Sequence, residues 1–223
     1  MRKFIPLFVV FAFVVACAPT SPAPTDANAP TPTVTPLPIA YQDNFDSTGS
    51  GWYAGVFDAG EHSYSNGGYR VFVSNVDWYS WAVNPSAKVY GDIRVEVDAQ
   101  KLSGPDSGEY GVLCRVDYEA SSFYAGVVTS EGAYAIYKSI NEGPIELIDM
   151  AAMGFSEAVT QGGTTNHIRL DCIGDTLTLY ANGTQLVQVT DDTLPTGEAG
   201  VYSGTFDPGG TEILFDNFVV YQP

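Results

Sequence analysis

No window of this chain sustains a 3.6-residue apolar period. Short runs rich in Val, Tyr, Phe, Ile and Thr recur instead between clusters of Gly, Asn, Asp and Pro, the pattern of an all-β sandwich or barrel. The stretch GDIRVEVDAQKL is the cleanest case: Ile93, Val95, Val97 and Ala99 alternate with Arg94, Glu96, Asp98 and Gln100. One side of that strand is buried and the other is wet. Two hairpins have a mechanism in the sequence. Asn182-Gly183 supplies the positive φ angles of a two-residue turn, and Asn66-Gly67-Gly68 can do the same. Similar reasoning predicts strands over 41–45, 61–65, 69–74, 78–83, 91–101, 109–117, 123–130, 133–139, 166–173, 175–181, 184–190, 198–204 and 212–221. About thirteen strands in this span suggest two large stacked antiparallel sheets. DMAAMGFSEAV is read as a loop.

The amino terminus carries an address rather than a fold. Arg2 and Lys3 precede an apolar run from Phe4 to Val15, too short for the roughly 20 residues that span a bilayer. Residues 1–16 read as a signal peptide. Val14-Val15-Ala16-Cys17 resembles the lipobox of bacterial lipoproteins, which implies cleavage before Cys17 and lipidation of that residue; a plain secretory signal is the alternative. Several acyl chains on Cys17 would anchor the protein stably, where one chain binds only marginally. Residues 17–38 are the lipidated Cys and a Pro/Thr-rich tether, which proline holds extended. Residues 39–223 are one domain by length, large enough to bury a core without metal or disulfide help. The expected location is the bacterial cell envelope, lipid-anchored and facing outside the cytoplasm.

Cleavage removes Arg2 and Lys3 and takes the formal charge from -17 to -19. With no clustered Lys or Arg, nucleic acid is not an expected partner, and contact with a membrane is expected through the lipid anchor only. Apart from Cys17, only Cys114 and Cys172 remain, without zinc-motif spacing. Cys114 shares parity with Val112 and Val116, and Cys172 with Ile168 and Leu170, so both point to the apolar side of their strands. A disulfide between neighbouring strands fits an exported protein. Two buried thiols are the other reading.

The two ends of the domain, YQDNFDSTGSGW and ILFDNFVVYQP, both contain Asp-Asn-Phe. Together with YGDIRVEVDAQKLSG and the strand count, they resemble the concanavalin A-like lectin/glucanase sandwich, and within it the laminarinase-type glycoside hydrolases. The resemblance implies a two-sheet antiparallel jelly roll with first and last strands side by side, Phe45 and Phe218 facing the core. It also implies a structural calcium ion held by Asp216 with Asp43 or nearby carbonyls. Calcium wants six to eight oxygens, so carbonyls and water would complete that shell. The catalytic members' Glu-x-Asp-x-x-Glu is missing: EVDAQK offers Glu96 and Asp98, then Gln100 and Lys101. A retaining glycosidase needs a second carboxyl about 5–5.5 Å from the first.

No other chemistry stands out. His62 and His167 lack metal-ligand spacing and read as surface residues, and no Ser sits in a Gly-x-Ser-x-Gly elbow. A sugar needs flat aromatic faces and a few polar forks, and the chain has 14 Tyr and 3 Trp. The parity opposing Cys114 carries Arg115 and Asp117, with Tyr118, Tyr124 and Tyr134 nearby. DWYSWAV adds Trp78 and, on the opposite face, Tyr79 and Trp81. The candidate ligand-binding set is Arg115, Asp117, Tyr118, Tyr124, Tyr134 and Trp81. The expected function is a non-catalytic, surface-anchored module that binds a glycan or cell-surface polysaccharide, or mediates adhesion. The alternatives are a glycosidase-like enzyme of the 3-keto-disaccharide hydrolase type, testable at Glu96 or Glu109, and a purely structural envelope module.

Overall fold

The computed structural model describes residues 36–223. The signal peptide, Cys17 and all but the last three residues of the tether lie outside the described residues. In chain order the strands are β1 (Ile39–Asp43), β2 (Gly55–Phe57), β3 (Gly60–Ser65), β4 (Gly68–Val73), β5 (Trp78–Val83), β6 (Ile93–Ser103), β7 (Glu109–Asp117) and β8 (Ser122–Thr129). They continue as β9 (Ala133–Ser139), β10 (Glu146–Leu147), β11 (Gly154–Phe155), β12 (Asn166–Ile173), β13 (Thr176–Ala181), β14 (Thr184–Thr190), β15 (Glu198–Thr205) and β16 (Thr211–Tyr221). All pairings are antiparallel. One sheet has nine strands in the order β14-β13-β12-β6-β16-β4-β3-β2, with β1 added on β16; the other has seven in the order β10-β9-β8-β7-β15-β5, with β11 on β9.

The main core lies between the sheets. Ile93, Val95, Val97 and Ala99 of β6 are fully buried, and their alternating neighbours stay partly wet, as the period-2 pattern requires. They face Tyr110, Val112 and Cys114 of β7 and Tyr124 and Val128 of β8. Burying each aliphatic side chain contributes about 1.5–3 kcal/mol. The Asn-Gly turns form as expected, with φ of 52° and 74° at Asn66 and Gly67 and 50° and 81° at Asn182 and Gly183. The strands missed by the sequence pattern, β2, β10 and β11, are two or three residues long, too short to show any period. β11 falls inside the stretch read as a loop.

The repeated Asp-Asn-Phe forms one seam. β1 runs antiparallel to β16 with Asp43 opposite Phe218. In β16 both Phe215 and Phe218 are buried although three residues apart, because a bulge at Asp216-Asn217 resets the parity, with Asn217 at φ 51°. Phe45 and Phe218 clamp Trp52, their ring centroids 5.2 and 5.0 Å from it. The Trp52 Nε1–H donates to Asp43 Oδ2 at 3.0 Å.

Cys114 and Cys172 form the disulfide. It does not join neighbouring strands: β7 and β12 belong to opposite sheets, so the bridge crosses the core. Parity alone turned both thiols inward without saying from which sheet. His62 departs from its surface reading. It is buried at the open side of the sandwich, where Nε2 lies 2.7 Å from Ser80 Oγ and Nδ1 3.0 Å from the Tyr69 hydroxyl. Tyr69 donates its proton to the Tyr53 carbonyl, so Nδ1–H donates to Tyr69 and Nε2 accepts from Ser80. Burial pushes this histidine down to about 4, which keeps it neutral and the sheet-to-sheet chain intact at neutral pH.

Candidate ligand-binding face

The outer face of the seven-stranded sheet is the apolar one. Leu113, Phe123, Ala125, Val127, Ala135, Tyr137 and Tyr202 form a second, buried cluster there, and the half-buried Tyr79, Trp81 and Val83 packed over it are what a ligand can reach. On its β9 side Ile145, Leu147, Met150 and Met153 from the connection through β10 add a wall. Strand register explains the arrangement. Tyr79 and Glu109 both lie opposite Gly204, and Trp81 and Gly111 both lie opposite Tyr202. The Tyr202 ring lies against Gly204, where a Cβ would stand 3.3 Å from its Cε1. The rings form an unbroken series: Tyr202 stacks on Tyr79 at 5.7 Å, Phe123 stands 6.1 Å from both Tyr79 and Trp81, and Trp81 meets Tyr118 edge-on at 5.2 Å.

At one end this face opens into a cavity of about 450 Å³ lined by Trp78, Tyr79, Tyr137, Tyr202 and Phe206, together with Asp77, Glu109, Ile145 and Leu147. Trp78 and Phe206 are exposed at its rim; Trp78 has the opposite parity to Tyr79 but is the first residue of β5, at the end of the edge strand, and so also borders the cavity. At the other end a shallower depression of about 360 Å³ is bordered by Val116, Asp117, Tyr118 and Glu198. The eight residue steps of β7 between them correspond to roughly 25 Å.

Glu109 is the chemically unusual member. It is 2% exposed, and Tyr137 donates its hydroxyl to Oε1 at 2.5 Å. Oε2 has no protein hydrogen-bond partner among the described residues, and a Cβ at Gly204 would stand 3.4 Å from it and 3.1 Å from the Tyr202 hydroxyl. Glycine at 204 thus keeps space open over the acid. Burial pushes the Glu109 carboxyl up to about 7, against the Tyr137 bond that favours its charged form. For an acid raised on folding, the unfolded chain is the more ionised state between its ordinary value and pH 7, so stability falls with pH across that window. The fall is about 3 kcal/mol at its limit. Glu109→Gln keeps the acceptor for Tyr137, and urea unfolding from pH 4 to pH 8 is expected to lose that share of the decline.

The structure distributes the sequence-selected residues unevenly. Trp81 and Tyr118 are brought together on the outer face, and Asp117, beside them, accepts a hydrogen bond from the Ala120 amide. Arg115 is sent inward. A bulge between Cys114 and Asp117 breaks the alternation, Arg115 takes φ 52°, and its guanidinium donates to the carbonyls of Leu194 at 3.0 Å and Gly174 at 2.5 Å. Tyr124 lies opposite Cys114 and is fully buried between the sheets, its hydroxyl donating to Asp191. Tyr134 packs on the same inner core. Sequence reasoning did not gather Tyr137, Tyr202 and Phe206. The parity opposing Cys114, followed back toward the start of β7, reaches Glu109.

Asp43 and Asp216 flank the terminal seam. The Asp43 carboxylate already accepts from the Phe45 amide, Trp52 Nε1 and the Tyr41 hydroxyl. Asp216 accepts from the Asn217 amide; burial, with Asp98 and Asp46 close by, raises it above its ordinary value. No group of three or more His, Cys, Asp or Glu side chains among the described residues is arranged to hold a metal ion. On the outer face of the nine-stranded sheet His167 sits between Glu96 Oε2 at 3.5 Å and Asp98 Oδ1 at 2.8 Å. These carboxylates, Glu96 foremost, raise it to about 9. Its charged form is favoured by folding, so that stabilisation is complete below its ordinary value of 6.5 and is lost as pH rises through 9. His167→Gln is expected to flatten the decline in Tm between pH 6.5 and 9.

No protein-family model matches the chain, and neither does any curated protein. Solved structures do match. A carbohydrate-binding module, CBM66, from Bacillus subtilis aligns over 78% of this chain and 96% of its own at 17% identity, with a TM-score of 0.61. A Bacillus subtilis protein of unknown function with a galectin-like fold aligns over 82% and 96% at 14% identity, TM-score 0.60. The catalytic domain of an endo-1,3-beta-glucanase (laminarinase) from Thermotoga petrophila RKU-1 aligns over 85% and 99% at 9% identity, TM-score 0.53. At such identities the likeness is one of architecture, and the described domain is a two-sheet antiparallel jelly-roll sandwich of the concanavalin A-like type.

Proposed function

We propose that the domain binds a glycan along the outer face of its seven-stranded sheet, without turnover, and that the chain is an exported lipoprotein tethered to the bacterial envelope through Cys17. The observation that carries the binding reading is the series of rings from the Glu109 cavity through Tyr79 and Trp81 to Tyr118. Rigid aromatic faces with a few polar groups at one end are what sugar C–H surfaces and hydroxyls require. The similarity to a carbohydrate-binding module and to a laminarinase supports this choice of ligand class over a protein partner. The lipoprotein reading rests on the sequence of residues 1–17.

An enzyme of glycosidase type is the second reading, favoured by Glu109 alone. A buried carboxyl with its proton held to near neutrality suits a general acid. Against it, the next outward positions of β7 are Gly111 and Leu113, so this strand supplies no second carboxylate for a retaining pair, and the cavity's other acid, Asp77, is exposed to solvent on the β4–β5 turn. The experiment is a glycan array probed with the full chain in detergent, with product analysis on every hit. Binding without product is the expected result; the absence of any hit at millimolar ligand removes the glycan reading, and a product that disappears in Glu109→Gln replaces binding with catalysis.

A further inference from the structure

The lining of the Glu109 cavity combines aromatic residues with acids. Its lining contains five aromatic rings and two acids, Glu109 and Asp77, and no Lys, Arg or His. Glu109 is almost wholly buried, with Oε2 facing the space that Gly204 leaves open. Protonated, Glu109 can meet a neutral ligand as a donor; once ionised, above about 7, it gains from a neutral ligand no partner that offsets its desolvation. An alkylammonium would pair with that carboxylate, and aromatic rings attract the same group through their negative faces. Resting on the glycan-binding reading, we propose that this cavity takes a positively charged amino substituent of the glycan, so that the ligand class is a cationic rather than a neutral or acidic sugar.

Three further features agree. The groups facing Glu109 are the hydroxyls of Tyr137 from β9 and Tyr202 from β15 and, across the cavity, the Asp77 carboxylate from the β4–β5 turn. None of these supplies positive charge. The formal charge of -17 concentrates cations near the surface and repels uronic or sialic acids. Ile145 and Leu147 also line the cavity, and their apolar side chains lower the local dielectric and strengthen an ion pair formed beside them. Cation binding draws the Glu109 proton off, so affinity for a permanently charged ligand rises with pH through the window in which Glu109 titrates.

The full chain is titrated calorimetrically with a glucosamine hexamer, its fully N-acetylated counterpart, a neutral β-glucan hexamer and choline chloride, in 0.5 M salt to suppress diffuse attraction. The glucosamine hexamer is expected to bind about tenfold more tightly than the N-acetylated one, with the gap closing in Glu109→Gln and persisting in Asp98→Asn on the opposite sheet. Choline affinity that rises from pH 5.5 to 8.5 identifies a quaternary ammonium as an accepted source of the charge. An N-acetylated or neutral hexamer that binds as well as the amino sugar overturns the cationic ligand and leaves the glycan reading standing. If no titrant binds and the array shows no hit, both fall. A glucosamine preference that survives unchanged in Glu109→Gln is diffuse attraction to an acidic protein and also overturns the proposal.

Discussion

Replacing Cys114 and Cys172 together by alanine is expected to lower stability by roughly 4 kcal/mol, because the bridge closes a loop spanning 58 residues and loop closure of that length removes a comparable entropy from the unfolded chain. Position adds to the effect. The bridge crosses the core between β7 and β12, with both cysteines fully buried, so the alanines also leave space that the two facing sheets must close. Urea unfolding of the double variant is the measurement, and its m-value is expected to rise as the freed denatured chain expands. A loss under about 1 kcal/mol would mean that the sheets are held together by apolar contact alone.

Trp52→Ala is expected to cost about 3–5 kcal/mol, the range for deleting a large aromatic from a core. Trp52 is 3% exposed and contacts Phe45, Tyr69 and Phe218 at centroid separations of 5.2, 5.3 and 5.0 Å. It thereby fastens the first strand, the last strand and β4 to one another. Its Nε1–H also satisfies Asp43. Trp52→Phe separates the two contributions: it keeps most of the packing, loses the donor to the carboxylate, and should cost about 1–3 kcal/mol. Thermal unfolding of the pair checks this. Equal losses would put the weight on the hydrogen bond rather than on the rings.

The parts of the fold that could be read from the sequence are those governed by local rules. β6 alternates without interruption over Ile93–Ala99 because one face is core and the other water. The two Asn-Gly turns are dictated by φ. The seam between the Asp-Asn-Phe copies was legible only through the family resemblance that the two ends carry, and the bulge at Asn217 that lets Phe215 and Phe218 share a face leaves no period to follow. Arg115 shows where local rules stop. A bulge one residue past Cys114 turns a position expected to face outward into a buried clamp on two carbonyls. Tyr79, Glu109 and Tyr202 come from β5, β7 and β15, and β15 lies between the other two in space although it is last in sequence. Their meeting is a consequence of strand order, which alternation within a strand does not encode. Trp81 and Tyr118 were found because abundance and parity sufficed; Tyr202 and Phe206 were not, because nothing local distinguishes them from ring-rich core strands.

The binding face is tested most directly at its exposed rings. Trp78 and Tyr118 are 52% and 62% exposed, so alanine at either should leave the fold intact while removing a wall at one end of the face. With the best glycan from the array, titration of Trp78→Ala and Tyr118→Ala is expected to show affinity reduced about tenfold or more in each, at a Tm within about 2 °C of the parent. Unchanged affinity in both variants, with the ligand still bound by the parent chain, would contradict the outer face of the seven-stranded sheet as the binding site.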